Sequence, residues 1–99
     1  MIMNTTRITL QPEKRTEFFQ TMGPLLDPIK HAKGCRNVDF YFDATDENST
    51  LVVSEWDTET DLNNYLQSNA FAVLRGAITV LSVNSIESKA SVTSHRSKP

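Results

Sequence analysis

The sequence predicts an α+β domain with the ferredoxin-like order βαββαβ, and three observations predict it. Two-residue alternation or β-branched enrichment marks four segments as strands, at about 2–10, 35–43, 50–56 and 83–92. Between the first and second, and again between the third and fourth, apolar residues recur every three or four positions, as on an amphipathic helix. The connection between the second and third strands is short enough to require an antiparallel pair. Helices on one face of an antiparallel sheet bury both kinds of apolar surface, and this order of elements is the split βαβ motif.

Strand one is carried by Arg7-Ile8-Thr9-Leu10, which alternates polar and apolar. Pro12 suits the first position of a helix, where its missing N–H costs nothing. Phe18, Met22, Leu25 and Ile29 follow at helical spacing, but Gly23-Pro24 and Pro28 interrupt the run. A proline inside a helix removes a hydrogen bond and clashes with the preceding turn. The expectation is a helix over 13–22, then a kink and an irregular turn ending at Lys33-Gly34. In strand two, Val38, Phe40 and Phe42 alternate with Asn37, Asp39, Tyr41 and Asp43; residues 44–49 read as a polar turn. After the third strand, Asp57 or Thr58 can cap a helix whose inner face is Leu62, Tyr65 and Leu66. Ser68 opens another helix with the stripe Phe71, Leu74, Ile78 and Leu81. One domain over 1–92 is expected, followed by a disordered tail over 93–99 that lacks core-forming residues.

Composition bounds the function. Net charge is −2, too mild to point to nucleic acid. Seven acidic residues and no Lys or Arg fall between Asp43 and Asp61, which reads as a solvated hairpin; a partner docking on that hairpin has only this charge behind it. The single cysteine, Cys35, excludes an internal disulfide and a cysteine-rich metal site. Asp57, Glu59 and Asp61 suit a helix start, so no metal is assigned to them. No run approaches the roughly 18–20 apolar residues that cross a bilayer. The first ten residues lack the apolar core of a signal peptide, so the cytoplasm is the expected location.

A four-stranded sheet has two faces, and these helices can cover one. Cys35, Tyr41, Leu51 and Val53 are assigned to the other face, too apolar to leave in water. Two copies packed sheet to sheet would bury it, so a homodimer is expected.

Four local stretches resemble the antibiotic-biosynthesis monooxygenase superfamily of dimeric α/β-barrel proteins. They are Gly34-Cys35, Phe40-Tyr41-Phe42-Asp43, Ser54-Glu55-Trp56, and the run from Tyr65 through Gln67-Ser68-Asn69 to Phe71. The resemblance implies a pocket between the sheet and its own helices. It also implies oxidation of a small aromatic or quinol-type substrate by oxygen without flavin, metal or haem. The protein would bind the substrate, accept a proton and stabilise an oxyanion. Many relatives carry a histidine where this chain has Tyr65. The haem-degrading branch needs an asparagine, a tryptophan and an axial histidine, and those positions read Thr6, Tyr65 and Arg75. Arginine has no lone pair for iron, so no cofactor is expected.

The candidates are weighed against simpler readings. Tyr65 and Arg75 are the catalytic candidates; Trp56, Phe71, Leu74 and Arg7 are the substrate-binding ones. Trp56 fits a core aromatic as well as a pocket wall. Tyr65 fits a buried residue with a satisfied hydroxyl, and Arg75 fits a surface residue lying along its helix. Arg7 emerges from a strand, where pairing with Glu55 or Asp39 competes with a pocket role. His31 and His95, in a loop and in the tail, have no role assigned. The alternative to an enzyme is a non-catalytic, small-molecule-binding or structural homodimer of the same fold.

Overall fold

The computed structural model describes residues 1–91, so the tail expected over 93–99 lies outside the described residues. Four strands form one antiparallel sheet in the order β2-β3-β1-β4, with β1 Ile2–Leu10, β2 Cys35–Asp43, β3 Asp46–Trp56 and β4 Ser82–Ser91. Helices α1 (Arg15–Lys30), α2 (Glu59–Leu66) and α3 (Asn69–Leu81) cover one face. The α+β, ferredoxin-like class expected from the pattern is the class observed. Among the described residues no helix is long and apolar enough to cross a membrane.

Helix α1 departs from expectation. A 3-10 turn over Pro12–Lys14 leads into a helix that continues through Gly23, Pro24 and Pro28 to Lys30. Two interior prolines cost about 6 kcal/mol together. Both stand on the exposed side, four residues apart. On the opposite side Phe18, Met22, Leu26 and Ile29 are buried, and each such burial contributes roughly 1.5–3 kcal/mol. The stripe therefore carries the helix past its prolines. It uses Leu26, with Leu25 half-buried, because an unkinked helix turns 26 and 29 inward with 22.

The polar turn expected over 44–49 shrinks to Ala44 and Thr45, and β3 begins at Asp46. The Asp43 carboxylate accepts bonds from the Thr45 backbone N–H at 2.8 Å and hydroxyl at 2.7 Å. These bonds hold the Asp43 carboxyl below its ordinary range. Arg15 Nε donates to the Glu47 carbonyl at 2.7 Å, tying α1 to the strand that sequence alone reads as a loop. Of the two caps offered for α2, Asp57 and Thr58, the helix uses Thr58, and α3 begins at the expected Ser68. Thr58 Oγ1 accepts from the Asp61 N–H, and Ser68 Oγ accepts from the Phe71 N–H.

Register fixes the two faces. Thr50, Val52, Ser54 and Trp56 of β3 are buried under the helices. Leu51, Val53 and Tyr41 point away from them, and so do Arg7 and its β4 partner Ile86. Tyr41 and Ile86 are exposed on that face. Cys35 is the exception among the four residues assigned to it. A register shift between Cys35 and Asn37 turns Cys35 toward the helices, where it packs against the core. There burial pushes the thiol pKa up, outweighing a backbone hydrogen bond at Asn37 that lowers it.

Candidate functional site

Strand β4 is one edge of the sheet. Its inward residue Ser85 faces Ile8 of β1 across the ladder, and Thr6 shares the Ile8 side of β1. Over this edge runs the flank of α3. Phe71, Leu74, Ile78 and Leu81 face inward at helical spacing, and Arg75 follows Leu74 by one residue, at the margin of that stripe. Thr6, Ser85, Phe71, Arg75 and Ile78 line a cleft of about 170 Å³.

The chemistry of the cleft is simple. Its apolar lining is Phe71 and Ile78, and its two hydroxyl-bearing residues, Thr6 and Ser85, come from the strands. Its one charge is Arg75, whose guanidinium carbon stands 5.5 Å from the Phe71 ring centre. A cation over a ring face is attracted by its quadrupole, so Phe71 holds the guanidinium at the mouth. Arginine stays protonated at any working pH and presents five donors. The arrangement can therefore receive an anion that forms on an aromatic ligand.

The candidate residues separate into layers. Phe71 and Arg75 stand together in the cleft, with Thr6 opposite them. Tyr65 stands one layer behind, its ring 5.1 Å from Phe71 in edge contact and only 6% exposed. Trp56 stands behind Tyr65, stacked at 4.7 Å with an interplanar angle of 22°. It is wholly buried, and its Nε1–H donates to Ser54 Oγ at 2.9 Å. Leu74 is buried in the core. Arg7 lies on the far face of the sheet, in a shallow depression with Tyr41, Asp43 and Leu51. Trp56, Leu74 and Arg7 thus do not line this cleft; Trp56 and Tyr65 line a separate cavity beside Pro28 and Ile29. Neither Glu55 nor Asp39 is ion-paired to Arg7 among the described residues.

Three lining residues are absent from the candidates proposed from sequence. Thr6 appears there only as a replaced haem-branch position, though its parity with Ile8 places it inward. Ile78 reads as core. Ser85 has no signal of its own, because its place in the cleft depends on the pairing of β4 with β1.

The chain matches the family model described as antibiotic biosynthesis monooxygenase over residues 1–76, from β1 into α3. An uncharacterized protein of Synechocystis sp. is 30% identical over 64 residues, covering 65% of this chain; the match spans 44% of that protein's length. Solved structures show the same fold at lower identity. A candidate antibiotic biosynthesis monooxygenase from Deinococcus radiodurans superposes with a TM-score of 0.90 at 12% identity, covering 100% of this chain and 99% of its own. A Mycobacterium tuberculosis protein gives 0.86 at 15% identity, covering 97% and 98%. A conserved Methanosarcina mazei protein gives 0.84 at 18% identity, covering 90% and 89%. With three quarters of its length matched by the family model and its fold shared throughout, this chain belongs to the antibiotic biosynthesis monooxygenase family.

Proposed function

We propose that the chain is a cofactor-independent monooxygenase that binds a small aromatic or quinol-type molecule in the cleft under Arg75. The observation that carries this reading is the guanidinium held over Phe71 at the mouth of a cavity with two strand hydroxyls. A phenol entering beside Arg75 loses its proton to solvent more easily, because the guanidinium stabilises the phenolate. The electron-rich ring then reacts with oxygen itself. For an anthrone-type CH2 group, one oxygen atom becomes the new carbonyl and the other leaves as water. The four electrons come from that CH2. Tyr65 acts through Phe71, fixing its ring and so the guanidinium, which makes it a positioning residue in this scheme.

Oxygen uptake with a panel of quinols and anthrones tests the proposal, with Arg75→Gln beside the wild type. A hydrogen bond to a charged group contributes about 1.5–3 kcal/mol, so Arg75→Gln is expected to lower kcat/KM by about 10- to 100-fold. Arg75→Lys should keep part of the activity. Uptake at the uncatalysed rate with every compound would sink the monooxygenase reading. The same result with saturable binding would favour the second one, a small-molecule-binding module without chemistry. That reading draws on the lining itself, which holds no histidine or carboxylate among the described residues.

We also infer that the free sheet face pairs two copies. Tyr41, Leu51, Val53 and Ile86 present apolar surface there beside Arg7, and contiguous patches of this kind mark interfaces. Sedimentation equilibrium at micromolar concentration should return twice the 11.2 kDa chain mass. Leu51→Glu should shift it toward the monomer, and a wild type already at the monomer mass would refute the pairing.

A further inference from the structure

We propose that a second cavity, between the end of α1, one side of α2 and the start of α3, binds an apolar α-amino acid as its zwitterion. This cavity measures about 200 Å³ and is separate from the cleft, with which it shares no lining residue. Its apolar walls are Pro28 and Ile29 of α1, Ala70 of α3 and the Tyr65 ring. For scale, a cavity of roughly 150 Å³ accepts one benzene molecule. There is room for one ring or one branched aliphatic side chain.

The rim selects the charge of the ligand. Lys33 and Asp61 both line the cavity. Lys33 has no ion pair, and neither an ion pair nor a side-chain hydrogen bond engages the Asp61 carboxylate among the described residues. The chain fold brings Asp61 beside the residue that follows Lys33. The Asp61 carboxylate lies directly over Gly34, the residue after Lys33, so near that a Cβ on Gly34 would fall 2.1 Å from Asp61 Oδ2. A lone carboxylate would be drawn to Lys33 and repelled by Asp61, and a lone ammonium would meet the reverse. A ligand with both charges one carbon apart satisfies both, and its side chain then points at Tyr65. Asn64 also lines the cavity and adds an amide there.

The cavity reports on itself. Tyr65 forms its wall and stacks on Trp56, the chain's single tryptophan, so a side chain seated against Tyr65 perturbs Trp56 emission. L-Phenylalanine titrated into the full chain should give a saturable emission change with a dissociation constant in the millimolar range. 3-Phenylpropionate and 2-phenylethylamine, each lacking one charge, should bind more weakly. Exposed charge contacts are modest in strength, so Lys33→Gln and Asp61→Asn should each weaken phenylalanine by about fivefold. Amide NMR shifts should move at Asn64 and Ser68 and stay still at Thr6 and Ser85. Those spectra also establish that each variant is folded. Arg75→Gln should leave the affinity unchanged, which separates this site from the proposed monooxygenase cleft. No saturable change, equal binding of the singly charged analogues, or shifts confined to Thr6 and Ser85 would each overturn the proposal.

Discussion

Trp56→Ala should destabilise the protein by about 3–5 kcal/mol, the range for removing a large aromatic from a packed core. Trp56 is wholly buried at the end of β3, with Tyr65 stacked on its face. Its removal empties the space beneath the Tyr65 ring and strips Ser54 Oγ, itself buried, of its donor. Trp56→Phe separates the two effects. It keeps most of the volume and loses the N–H, so a loss of about 1–3 kcal/mol is expected from the unpaired hydroxyl. Urea denaturation checks both values. A cost below 1 kcal/mol for Trp56→Ala would mean that the indole is not the packed element its burial indicates. The effect extends to function, because Tyr65 stands between Trp56 and Phe71. Loosening the base of that ring stack should also weaken aromatic binding under Arg75, without any contact between Trp56 and ligand.

Gly34→Ala should cost about 2–5 kcal/mol through two separable terms. Gly34 has φ +80°, the only positive φ among the described residues. A residue with a Cβ is disfavoured there by roughly 1–2 kcal/mol. The added Cβ would also fall 2.1–2.5 Å from the Asp61 side chain, and overpacking costs about 1–3 kcal/mol. Asp61 occupies the first turn of α2, so relieving the overlap displaces that helix start from the end of the α1–β2 connection. The double variant Gly34→Ala/Asp61→Gly removes the overlap and leaves the backbone strain. Its cost should be smaller than the sum of the single costs, and the difference measures the contact. Additive costs would show that Asp61 does not press on Gly34 in solution. The close approach also holds Asp61 at the rim of the second cavity, so Gly34→Ala should lower phenylalanine affinity as well.

Local chemistry was readable in the chain where a single element decided it. The N-caps Thr58 and Ser68 needed only their own backbone neighbours, and both bonds form. The α3 stripe of Phe71, Leu74, Ile78 and Leu81 is buried as its spacing requires. The rule that prolines end helices failed in α1, since burial on the opposite side outweighs the lost hydrogen bonds. The hairpin departs from its local pattern for a similar reason. Asp46, Glu47, Asn48 and Ser49 have poor strand propensity, yet the β1 ladder reaches Ser49 and Arg15 bonds the Glu47 carbonyl.

By itself the sequence determined the order of elements, the fold class, the family and the inward stripe of α3, because each depends on neighbours a few residues apart. Alternation along β1 even separated Arg7 from Ile8. What alternation lacks is the identity of the faces: a period of two sorts residues into two sets without saying which set lies beneath helices. Only the tertiary structure decided that Arg7 stands across the sheet from Arg75, that Trp56 and Tyr65 form layers behind Phe71, and that Thr6 and Ser85 complete the cleft. Residues 6, 75 and 85 meet through strand pairing and helix docking over long stretches of chain. That encounter is set by how the whole core closes, and no local pattern records it.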